Sequence, residues 1–116
     1  MQVQVHTDNH VKGGSELFGF VETEVRGTLS RFGEQITRVE VHLNDLNGHK
    51  TGPHEKRCLM EARIAGHQPV AVHHEADTLD AAVSGAVDKL EKSLDHLFGK
   101  LGHRKGRTPY GGEPEV

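Results

Sequence analysis

Tryptophan is absent from this chain, and one tyrosine and four phenylalanines are all the aromatic surface it has. Single-strand binders that stack bases use more aromatic side chains, so stacking is not the expected mode of recognition. A lone cysteine, Cys58, excludes an internal disulfide and fits a reducing cytosol. No stretch approaches the run of about 18 apolar residues that a membrane span needs. The start, MQVQVHTDNH, has neither a basic cluster nor an apolar run and does not read as a secretory signal. A basic excess is missing too: the formal charge is −3 with histidine neutral, which argues against a generally basic nucleic-acid binder. No Gly-rich phosphate loop, nucleophile elbow or paired-cysteine motif occurs, so no enzyme is predicted and no cofactor is implied.

What the chain does contain is amphipathic order. Its 116 residues suit one domain. The clearest element runs from Thr78 to Leu101, where Leu79, Val83, Ala86, Val87, Leu90, Leu94, Leu97, Phe98 and Leu101 recur at helical spacing. Asp77 stands at the expected N-cap, and Gly102 at the expected end. Upstream, Val3 and Val5 alternate with polar residues from Gln2 to His6 as in a short strand. Ser15 offers a cap to a helix over 16–32 carrying Leu17, Val21, Val25, Leu29 and Phe32. Ile36–Asn44 alternates, with Val39, Val41 and Leu43 inward. Lys56–Ala65 alternates with Cys58, Met60, Ala62 and Ile64 inward, and Pro69–Glu75 with Val70 and Val72 inward. The connections among these three strands are too short for parallel crossovers, which predicts an antiparallel meander. The expected fold is therefore α+β in the order β-α-β-β-β-α, with two helices on one face of a four-stranded, mostly antiparallel sheet. The domain is placed at residues 1–102, and the Gly- and Pro-rich segment 103–116 is expected to be a flexible tail.

Three features invite chemistry. Cys58 lies on the inward side of a strand and reads as a small core thiol rather than a nucleophile. The histidine-rich stretch after the second strand offers His42, Asp45, His49 and His54 as metal ligands, but without the i, i+4 histidine pair or terminal carboxylate that zinc or calcium motifs use. A solvated hairpin is the plainer reading, and a metal-binding module the alternative. His73 and His74 are neighbours on a strand, so their rings face opposite ways and cannot share one ion. Residues 78–107 hold six cations (Lys89, Lys92, Lys100, Arg104, Lys105 and Arg107) against four acids, a local +2 in an acidic molecule. Lys89 and Lys92 share a flank of the last helix. This is either a solubilising surface or a phosphate-binding strip. The ten histidines should make the surface potential pH-dependent.

The layout, together with Asp77-Thr78-Leu79-Asp80-Ala81-Ala82-Val83 running into Val87-Asp88-Lys89-Leu90-Glu91-Lys92-Ser93-Leu94, closely resembles the ribosome hibernation-promoting factor and ribosome-associated inhibitor family, also labelled sigma-54 modulation proteins. The strand Arg38-Val39-Glu40-Val41-His42-Leu43 and the stretch Glu61-Ala62-Arg63-Ile64 share in the resemblance, which covers residues 2–102. It implies a short member without the C-terminal dimerisation domain of long members. It also implies a cytoplasmic, non-enzymatic protein that binds the 30S subunit and its 16S rRNA in the mRNA and tRNA channel, inhibits translation and preserves idle ribosomes. Neither DNA nor a membrane is an implied partner. By position, Lys89 and Lys92 match the family's phosphate-contacting residues best, followed by Lys100. Arg104 and Lys105 extend the charge beyond the helix, and Arg26 and Arg31 are the cations of the first helix. That helix departs from the Lys-rich pattern of well-known members, since it carries Glu22 and Glu24. The loop between strands two and three is also longer and histidine-rich. Fewer phosphate contacts mean weaker binding and a flatter salt dependence. A protein-interaction module, with weak self-association through the sheet face or a strand edge, is the remaining alternative.

Overall fold

The structure is a computed structural model and describes residues 1–8, 11, 14–46 and 56–104, with the backbone alone for 100–104. Six main elements follow the expected order: β1 (Gln2–Thr7), α1 (Ser15–Leu29), β2 (Ile36–Asp45), β3 (Lys56–Ile64), β4 (Val70–Ala76) and α2 (Leu79–Arg104). A 3-10 turn at Ser30–Phe32 extends α1. The strands form one sheet in the order β1-β2-β3-β4. β1 runs parallel to β2, as a connection through a helix permits, and β2, β3 and β4 make the antiparallel meander. The sheet is thus mixed, with one parallel pair.

Alternation along the strands sends one set of side chains under the helices. Val39, Val41, Leu43, Cys58, Met60 and Ala62 are fully buried there, facing Val21, Val25 and Leu29 of α1 and Val83, Ala86, Leu90 and Leu94 of α2. Val3, Val5, Val70 and Val72 cover the margins and are only partly buried. Ile36 is buried three residues before Val39, which strict alternation forbids. The register between β2 and β3 shifts between Ile36 and Arg38. A bulge at Thr37 absorbs the extra residue, and its hydroxyl donates to the Arg63 carbonyl at 3.1 Å. After Ile64 the chain turns through Gly66 at φ 72°, a left-handed position that suits glycine.

The helix ends differ in detail from expectation. Ser15 lies inside α1; Gly14 holds the N-cap position, with no side-chain cap. At α2 the cap is Thr78 rather than Asp77, because its hydroxyl accepts from the Ala81 N–H at 3.1 Å. α2 continues through Gly102 to Arg104. A glycine costs a helix only about 1 kcal/mol, so it does not by itself force a stop.

Cys58 sits in the middle of this core, and burial pushes its thiol from the ordinary 9.0 up to about 12. The thiolate is the reactive form, so alkylation by iodoacetamide at pH 8 should proceed only as fast as the domain opens. The folded state holds this proton more tightly than the unfolded chain does. Its contribution to stability is therefore complete below pH 9.0 and is lost as pH rises toward about 12. Rapid alkylation of the native protein would contradict the assignment of Cys58 to the core.

Candidate nucleic-acid interface

The solvent side of α2 is divided lengthwise. Steps of three and four residues place Lys89, Lys92 and His96 along one side of the solvent face and Glu91 and Asp95 along the other, with Asp88 between them, one turn before Lys92. Contacts to neighbouring elements fix which flank faces where. Lys89 leans over β4, its Nζ donating to the His73 carbonyl oxygen at 3.0 Å. Glu91 and Asp95 face the end of α1, where they accept Arg31 at 3.4 and 3.1 Å. Ser84, on the acidic flank, reaches Glu24 of α1 at 3.5 Å. Glu91 and Asp95 are thus turned toward α1, and Lys89 toward β4.

Lys89 and Lys92 are exposed, and Lys92 has no ion-pair partner among the described residues. Beside Lys89 lies an open depression of about 340 Å³ lined by His73, His74, Glu75 and Lys89. Two histidines that sequence reasoning missed lie near the lysines: His96, one turn beyond Lys92, and His74, whose ring is turned toward α2 while that of its neighbour His73 takes the other side of the sheet. The i+4 step from Lys92 would have found His96. Only the packing of β4 beside α2 supplies His74. Lys100 and Arg104 continue α2, but their side chains are outside the described residues, and Lys105 is wholly outside them.

The two arginines of the first helical region stand in ion pairs of their own. Arg26 binds Glu22 at 2.9 Å and donates to the Met1 carbonyl, tying the N-terminus to α1. Arg31 is held by Asp95 and Glu91 and lies 4.3 Å over the Phe32 ring, while Phe32 in turn contacts Phe98 at 5.4 Å. The Asp95 hydrogen bond, with the charge of Asp95 and Glu91 adding to it, holds the Arg31 pKa above its ordinary value. Both arginines stand at the surface, paired with carboxylates of the same domain and not gathered with the lysines. The structure brings Lys89 and Lys92 together and leaves Arg26 and Arg31 in separate ion pairs.

The histidine-rich ligand set is also divided. His42 and Asp45 are three residues apart on β2 and so lie on opposite sides of the sheet. Asp45 is bound to Lys56 at 3.0 Å across the β2–β3 pair. His49 and His54 are outside the described residues. His42 instead stacks on His6 of β1, with ring centroids 4.7 Å apart.

The α+β arrangement, a mixed four-stranded sheet covered by two helices, is shared with solved ribosome-related structures. The N-terminal domain of Thermus thermophilus Protein Y is similar over 84% of this chain and 99% of that one, at TM-score 0.67 and 23% identity. A ribosomal subunit interface protein from Coxiella burnetii is similar over 85% of this chain and 99% of that one, at TM-score 0.68 and 16% identity. No protein of curated function matches the chain. The sequence profile of the family described as "Sigma 54 modulation protein / S30EA ribosomal protein" matches residues 3–101, and the chain belongs to that family.

Proposed function

We propose that this domain is a cytoplasmic ribosome-associated factor that binds the 30S subunit on 16S rRNA in the mRNA and tRNA channel, inhibits translation and preserves idle ribosomes. Family membership supports the association with ribosomes. The observation that carries the reading of the interface is the lysine side of α2, where Lys89 leans over β4 while Glu91 and Asp95 are held toward α1 by Arg31. RNA helices are recognised largely through shape and backbone, so cations on a rigid face suffice without base-specific groups. α2 supplies that rigidity because its other side is locked into the core through Leu90 and Leu94. The mechanism is steric: the domain occupies the channel and needs neither a cofactor nor a reaction.

The overall charge of −3 sharpens the requirement. A molecule of this sign is repelled by polyanions except where its cations lead, so productive contact depends on presenting the α2 flank. Co-sedimentation with purified 30S subunits tests the reading. At about 100 mM salt, where the Debye length is about 10 Å, the wild type should pellet with 30S. Failure to pellet at every pH between about 6 and 8, the range over which histidine titrates, would overturn it.

A further inference from the structure

We propose that His6, Glu40 and His42 form a binding site for a divalent transition metal, with zinc the best match, on the open face of the sheet. One ligand atom from each of the three residues lies within 4.8 Å of the other two. The placement follows from topology. Glu40 and His42 are two apart on β2 and share a face, and the parallel register sets His6 directly beside His42. This face is turned away from the helices, since the intervening Val39 and Val41 enter the core.

The carboxylate is already oriented. Arg38 binds its Oε2 at 2.8 Å, and Arg63 lies 3.8 Å from the same atom. Oε1 is left pointing toward His42, 3.6 Å from its Nε2. Outer partners that hold a ligand in this way are usual around metal sites. The two guanidiniums do not leave the patch positive, because Arg63 also pairs with Glu61 at 3.4 Å. Two arginines then stand against two glutamates. Two imidazoles, which are borderline donors, outweigh the one hard carboxylate and suit zinc and its neighbours over magnesium or calcium. Three protein ligands leave a fourth tetrahedral position open.

Capture of an ion requires a small movement. Donors in a tetrahedral site stand about 3.4 Å apart when bonds are about 2.1 Å, so the three groups must close by roughly 1 Å. The rings, now nearly parallel at 15°, must also turn so that one nitrogen of each meets the ion. Both histidines are at the surface, His42 with 40% of its side chain exposed, and no core packing opposes the turn.

Calorimetric titration of the full chain with zinc chloride tests the site. His6→Ala and His42→Ala should each weaken the tightest zinc affinity by about tenfold or more. His49→Ala combined with His54→Ala should leave it unchanged. In the wild type, the imidazole nitrogen resonances of His6 and His42 should be the first to shift at substoichiometric zinc, a readout independent of any variant's folding. Absence of zinc binding, an affinity that survives loss of His6 or His42, or one that disappears with the loop histidines would each overturn the proposal.

Discussion

Gly85→Ala should lower the stability of this domain, although alanine is the better helix former by about 1 kcal/mol. Gly85 lies in the second turn of α2, where that helix passes over β4. A Cβ built there would overlap the His74 ring at three of its atoms. His74 is half-buried and wedged between strand and helix, so relief requires the ring to leave its position or the helix to lift from the sheet. Overpacking of this kind costs about 1–3 kcal/mol, which exceeds the propensity gain over most of its range. A net loss near 1 kcal/mol corresponds to a drop in Tm of roughly 4–8 °C for a domain of this size. Urea unfolding of Gly85→Ala, His74→Ala and the double variant separates the causes. In the double variant the ring is gone and the alanine should become neutral or stabilising. If Gly85→Ala is destabilising to the same degree with and without His74, the contact is not the reason for the glycine.

Reversal of the lysine flank should abolish ribosome binding. Lys89→Glu with Lys92→Glu changes the charge of the flank by −4 and aligns it with the acids already on α2. The fold should survive, because both side chains are exposed and, among the described residues, the substitutions remove only the hydrogen bond from Lys89 to the His73 carbonyl. The milder pair Lys89→Ala and Lys92→Ala should still bind, with a salt-dependence slope reduced by about 2, one for each phosphate contact removed. Reversal of Arg31 is the informative contrast. It breaks pairs with Asp95 and Glu91 within the domain, so it should affect stability and leave the slope of the residual binding alone. A charge-reversed lysine pair that pellets as the wild type does would move the interface elsewhere on the molecule.

The metal proposal and the ribosome reading concern opposite sides of the domain. Zinc affinity should therefore be indifferent to Lys89 and Lys92, and ribosome binding indifferent to His6. This separation keeps failure of one from being mistaken for failure of the other.

Most of the architecture was legible in the chain. Helical spacing from Leu79 to Leu101 and alternation in three strands depend on which residues must leave water, and that depends on residue type and order alone. The exceptions have local causes. Thr78 displaces Asp77 as the cap because the choice between adjacent side-chain oxygens turns on which reaches the Ala81 N–H. Ile36 falls out of the alternation of β2 because a bulge inserts Thr37, and nothing in the composition of that strand marks the place.

By itself the sequence determined the element order, the core faces and the positions of Lys89 and Lys92 on one flank, since each follows from periodicity within a single element. Only the tertiary structure decided that Arg31 pairs with Asp95 and Glu91, that the Lys89 amine reaches β4 beside His73 and His74, and that His6 meets His42. Those are relations between elements, set by strand register and by the angle at which α2 crosses the sheet. Periodicity within one segment carries no information about its neighbour.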